Sequence, residues 1–170
     1  MTLKLIGAIL IVAACAGFGW KLAAMHAREE KSLRQLISVL DFMECELQYR
    51  LTPLPELCRQ AASESTGPLK EVFLILCQEL EDQILPDVGL CMNCAIAKVK
   101  NIPKLTCEAL QMLCSSLGRF DLQGQLKGLE AVRRSCRNDL EGLCQNKDVR
   151  RRSYQTLGLC AGAALAILFV

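Results

Sequence analysis

Two uncharged apolar stretches, one at each end of the 170-residue chain, restrict its fold more than anything between them. Leu5 to Trp20 (LIGAILIVAACAGFGW) carries no charge and is bracketed by Lys4 and Lys21. If Lys21 lays its stem along apolar surface and keeps its ammonium in water, the stretch extends through Met25. A bilayer-spanning helix needs about 20 apolar residues, so residues 5–25 suffice. At the other end, Ser153 to Val170 (SYQTLGLCAGAALAILFV) is uncharged and follows a basic collar of Lys147, Arg150, Arg151 and Arg152. The chain therefore divides into an N-terminal transmembrane helix (1–26), a central domain (27–152) and a C-terminal transmembrane helix (153–170).

This division explains a composition unusual for a soluble domain: 52% hydrophobic and 22% charged, against roughly 45–50% and about 25% in ordinary globular chains. The net charge of +2 comes from Lys4 and Lys21, because the central domain carries 18 acidic residues and the other 18 basic ones. A neutral domain of this kind lacks a nucleic-acid footprint. Lys21, Arg28, Lys31 and Arg34 follow the first span, and the collar precedes the second. Basic residues are retained on the cytoplasmic side. Both ends thus place the central domain in the cytoplasm and both termini across the membrane.

A signal peptide is the alternative. Val12-Ala13-Ala14-Cys15 has the small-residue-then-cysteine pattern of a lipoprotein cleavage site, with Lys4 as the basic leader. Cleavage before Cys15 would export a disulfide-bonded helical domain. Against it, Lys21, Arg28 and Lys31 directly follow the segment, the apolar run continues past Cys15, and the C-terminal span would be oriented against its basic collar.

The central domain reads as all helix. Leu33, Leu36, Ile37, Leu40, Met43, Leu47 and Leu51 recur at three- and four-residue spacing opposite Arg34, Asp41, Glu44 and Gln48. Thr52-Pro53 ends this helix and opens a second, with Thr52 expected as N-cap and Leu54, Leu57, Cys58 and Ala61 inward. The turn Ser65 to Pro68 leads to a third helix over about 69–85, a fourth over about 88–100 and a fifth over about 105–117. Gly118 closes the fifth in the left-handed conformation, and Asp121 caps a sixth that carries Leu122, Leu126, Leu129, Val132, Cys136, Leu140 and Leu143. With no proline to stop it, the sixth continues through the collar into the second span. Unbroken to Val170 it would be about 73 Å long, with bends expected at Gly124, Gly128 and Gly142.

Catalytic chemistry finds no foothold. No phosphate-binding glycine loop is present, and the single histidine, His26, stands at the membrane edge without a nucleophile around it. Cofactors are not expected. Among eleven cysteines, Cys91 and Cys94 form a CxxC, with Cys107 and Cys114 downstream. Four thiolates would hold zinc, yet zinc ribbons use two such knuckles and a thioredoxin-like site would follow a strand. A zinc or redox module is a second alternative. Cys45, Cys58, Cys77, Cys136 and Cys144 lie on or beside the apolar stripes, where reduced cysteine behaves as a small hydrophobe. In the spans, Gly158 and Gly162, extended by Ala166, and Ala13 with Gly17 give small-residue faces suited to close packing in lipid. They would pair the spans with each other, with a partner's, or with those of a further copy.

Glu46-Leu47-Gln48-Tyr49-Arg50-Leu51-Thr52-Pro53-Leu54 resembles the acidic-x-x-Tyr-x-x-Thr-Pro-Leu signature of the stage III sporulation protein AB family. Gly67-Pro68-Leu69 with Phe73 is similar to that family as well. Leu117-Gly118 with Asp121 and Gln125 resembles its Leu-Gly-x-x-Asp-x-x-x-Gln, and Arg152, Tyr154, Leu157 and Gly158 its approach to the last span. The resemblance runs over nearly the whole chain. The chain departs from it at Cys91 to Ala95, where the family often has a tryptophan, and in its cysteine content.

The resemblance implies a six-helix bundle similar to the cytoplasmic domain of type II secretion F proteins. It implies a non-enzymatic scaffold in the membrane complex that joins mother cell and forespore during endospore formation. That scaffold sits in the mother-cell membrane and docks the complex's secretion-type ATPase beside other membrane proteins. Glu46, Tyr49, Thr52, Pro53, Leu54, Gly118, Asp121 and Gln125 occupy the signature positions, where turn and cap chemistry accounts for them.

Overall fold

The protein is described by a computed structural model. It covers the backbone of residues 2–82, 87–118 and 121–169, and the side chains of residues 24–82, 87–118 and 121–145. Among the described residues there are six helices and no strand. They are α1 (Thr2–Arg50), α2 (Leu54–Ser63), α3 (Pro68–Asp82), α4 (Val88–Lys98), α5 (Lys104–Cys114) and α6 (Leu122–Phe169). The first and last are 49 and 48 residues long, several times the others.

The chain divides into two compact units. One comprises Met1–Arg28 with Glu141–Val170, and the other is Glu29–Leu140. The expected membrane spans fall in the first, and apart from residues 24–26 their side chains, with Gly158 and Gly162, lie outside the described residues. Among the described residues no helix is long and apolar enough to cross a membrane. The backbones of α1 and α6 are nonetheless helical without interruption through the described parts of both segments, and α6 is helical at Gly124, Gly128 and Gly142 as well.

The second unit has a leucine-rich core. Leu33, Leu36, Leu40 and Met43 of α1 are fully buried, as are Leu57 and Cys58 of α2, Phe73 and Leu76 of α3, Met92 of α4, Leu110 and Leu113 of α5, and Leu129 and Cys136 of α6. All share the 3.6-residue period that puts one face of each helix inward. Arg133 of α6 ties the sixth helix to the first, its Nη1 donating to Asp41 Oδ1 at 2.7 Å and to Glu44 Oε2 at 2.5 Å. At the end of this bundle where α1 enters, Thr106 Oγ1 donates to Ser32 Oγ at 2.9 Å and Gln35 Nε2 to Thr66 Oγ1 at 2.9 Å. The opposite end is made by the α1–α2 corner, the start of α4 and the α5–α6 turn.

Three sequence expectations are corrected. Leu51 is not inward: it is 66% exposed, beyond the end of α1. Thr52 does not cap α2; the N-cap is Pro53, which makes no side-chain bond, while its carbonyl accepts from Leu57 N at 2.9 Å. Leu54, Leu126, Leu140 and Leu143 are only half-buried and Leu122 is exposed. These leucines lie at the margins of their helices' buried faces, whose centres are Leu57 and Cys58 in α2 and Leu129, Val132 and Cys136 in α6.

Candidate functional site

The signature positions gather at the bundle end opposite the one where α1 enters. Proline bars the residue before it from the right-handed helical region, so Thr52 cannot continue α1. The chain turns at Leu51, which takes a left-handed backbone at φ 52°. A non-glycine residue there costs about 1–2 kcal/mol. Glu46 stabilises the corner from beneath. Only 8% exposed, it accepts the Thr52 hydroxyl on Oε2 at 2.9 Å and pairs through Oε1 with Arg50 Nη1 at 3.3 Å. Thr52 thus spends its hydroxyl on the preceding helix, which is why it does not cap α2. Tyr49 makes no use of burial: it is 78% exposed.

The α5–α6 turn meets this corner. Gly118 has φ +74°, and a methyl built on it would lie 2.6 Å from Val88 Cγ2 and 3.6 Å from Leu54 Cδ2. Three elements therefore converge on a place that only a residue without Cβ leaves open. Asp121 follows and caps α6, accepting from Gly124 N through Oδ1 at 3.0 Å, and its carbonyl accepts from Gln125 N at 3.0 Å. Further along, a methyl on Gly128 would fall 2.2 Å from Ser116 Cβ. The last helix thus rides against the turn that precedes it.

The CxxC pair is split between two environments. Cys91 is buried in the core beside Met92 and Ala95. Burial first, and the Glu79 carboxylate second, push its thiol up. Cys94 is half-buried and donates from Sγ to Glu79 Oε1 at 3.8 Å. Lys98 Nζ also reaches that oxygen, at 2.6 Å, and its hydrogen bond holds the Glu79 carboxyl below its usual range. Among the described residues no three His, Cys, Asp or Glu side chains converge to hold a metal. Cys45, Cys58, Cys77, Cys91, Cys94, Cys107 and Cys136 are free thiols, with Cys45 exposed and Cys58, Cys77, Cys91 and Cys136 buried. Desolvation raises Cys58 to about 12 and Cys136 to about 11, so both are poor nucleophiles.

The structure therefore brings Glu46, Tyr49, Thr52, Pro53, Leu54, Gly118, Asp121 and Gln125 to one end of the bundle, and leaves Cys91 and Cys94 apart on α4. At this corner sequence reasoning misplaced Leu51 most clearly. The signal for it was present in Thr52-Pro53, which ends the helix one residue before the leucine spacing does.

Comparison with known proteins identifies the fold and the family. A solved structure of stage III sporulation protein AB shares the fold, with a TM-score of 0.62 and 20% identity, covering 72% of this chain and 98% of that one. Stage III sporulation protein AB of Bacillus subtilis (strain 168) is 25% identical over 171 residues, 99% of each chain. The family model for stage III sporulation protein AB matches residues 4–170, and the chain accordingly belongs to the stage III sporulation protein AB family.

Proposed function

We propose that the protein is a non-enzymatic scaffold of the sporulation complex that links mother cell and forespore. It is anchored by both ends in the mother-cell membrane around the forespore, and its bundle docks the complex's secretion-type ATPase in the cytoplasm. The observation that carries this reading is the uninterrupted course of α1 and α6 out of the bundle into apolar residues 5–25 and 153–170. Basic residues flank both segments on the bundle side, the arrangement that retains a domain in the cytoplasm. The resemblance to type II secretion F proteins supplies the docking role, and a partner-binding bundle needs none of the convergent nucleophile, base or metal chemistry of an enzyme.

Topology and docking are tested separately. A phosphatase reporter fused after Val170 should be active only outside the cytoplasm, and a fluorescent reporter there should stay dark; the opposite pattern removes the anchoring scheme. Cleavage before Cys15, read from the mass of the mature protein, would replace it with the exported lipoprotein. Full-length protein in nanodiscs should bind the purified ATPase, and absence of binding removes the docking role.

A further inference from the structure

The α1–α2 corner presents a surface that folding does not account for. Leu51 combines a left-handed backbone at φ 52° with 66% exposure. A glycine at this position would avoid both the steric cost and the exposed apolar surface. Tyr49, two residues earlier, is 78% exposed, although tyrosine gains most when its ring is covered. Neither residue sits on a frayed end. Arg50 and Thr52, the neighbours of Leu51 on either side, are both bound to the buried Glu46 carboxylate, which holds the corner in one shape. At the same end lie Leu122, 37% exposed, and the half-buried Leu54 and Val88 packed at Gly118.

The charges at this end are unequal. Arg50 pairs with Glu46, and Arg59 lies between Glu56 and Glu81. Asp82 ends α3 and Asp121 precedes α6. At these positions two arginines, Arg50 and Arg59, stand against five carboxylates, Glu46, Glu56, Glu81, Asp82 and Asp121, which gives the apolar corner an acidic rim. Such a rim repels an anionic lipid surface, and it would meet its own like charge across a two-fold self-contact. It complements a basic protein.

We propose that the α1–α2 corner is the contact surface for a protein partner presenting a Lys/Arg-rimmed apolar pocket, with Leu51 and Tyr49 as the inserted anchors. The inference rests on the docking reading above, which makes that partner the ATPase of the complex.

Full-length protein in nanodiscs is titrated with the purified ATPase, comparing wild type with Leu51→Gly, Tyr49→Ala and, as a control exposed on α5, Met112→Ala. Leu51→Gly relieves the left-handed backbone, so it should melt at or above the wild-type temperature while weakening binding by at least about tenfold, the effect of removing an interface anchor. Tyr49→Ala should weaken binding similarly, Met112→Ala should not, and added salt should weaken the wild type. If Leu51→Gly and Tyr49→Ala bind like wild type, this surface assignment is overturned and docking stands. A lowered melting temperature for Leu51→Gly overturns it too, by giving Leu51 a folding role. If the wild type itself does not bind, the docking reading falls, and the partner assigned here falls with it.

Discussion

Gly118 and Gly67 form a natural pair of probes. Both have positive φ, +74° and +62°, yet a methyl on Gly67 would meet nothing within 4 Å while one on Gly118 would lie 2.6 Å from Val88 Cγ2. Gly67→Ala therefore isolates the backbone cost of a side chain in the left-handed region, about 1 kcal/mol. Gly118→Ala adds a collision with a branched side chain that has little rotational freedom. Overpacking of this kind costs about 1–3 kcal/mol, for a total near 2–4 kcal/mol. At roughly 2–4 °C per kcal/mol for a chain of this size, Gly67→Ala should lower the melting temperature by about 2–4 °C. Gly118→Ala should lower it by roughly 4–16 °C, followed by helical circular dichroism of the full-length protein in detergent. Val88→Ala removes the colliding methyl. In the Gly118→Ala background it should restore stability, giving a coupling of at least about 1 kcal/mol in a double-mutant cycle. Equal effects of the two glycine substitutions, or additivity with Val88→Ala, would refute a convergence of three elements at Gly118.

Gly142 and Gly128 of α6 should respond in opposite directions. Gly142→Ala, with open space around it, gains helix propensity and should stabilise by about 1 kcal/mol, whereas Gly128→Ala drives a methyl into Ser116 Cβ and should destabilise by about 2 kcal/mol or more; urea titrations distinguish them. Arg133, 23% exposed and bridging two carboxylates, should cost about 1–2 kcal/mol as Arg133→Ala, less as Arg133→Met, which keeps the packed stem. Because Cys58 and Cys136 are raised to about 12 and about 11 from 9.0, the unfolded chain loses these protons first as pH rises. Stability should be intact below about pH 9 and fall steadily above it, and the fall should flatten in the Cys58→Ala, Cys136→Ala variant. In native protein a maleimide should label Cys45 and spare Cys58 and Cys136, as read by mass spectrometry.

Much of the bundle is legible from local pattern. Leu33, Leu36, Leu40, Met43 and Leu47 fall on one helical face by spacing alone and are buried. Asp121 announces a helix start and caps α6, and Gly118 takes the left-handed backbone expected of it, although α5 itself ends earlier, at Cys114 with Ser115 as its C-cap. Leu51 continues the same leucine spacing and is exposed all the same, because the helical period says nothing about where a following proline stops the helix. The contacts of Gly128 with Ser116 and of Gly118 with Val88 and Leu54 depend on how separate elements cross, which no one-dimensional period encodes. Burial of Glu46 belongs to the same class: a carboxylate on a helix reads as solvated until its two partners are found, Arg50 at the end of the same helix and Thr52 on the turn beyond it.

The bond from Arg133 to Asp41 spans 92 positions of sequence and that from Thr106 to Ser32 spans 74. The apolar face of α1 therefore has no complete cover until the sixth helix has left the ribosome. At about 5–20 residues per second, that face waits roughly 5–20 s for its last neighbour. A chaperone or an already assembled subunit has that interval in which to reach Leu33 to Met43 before the bundle shuts, which makes the order of synthesis a part of how this domain is assembled.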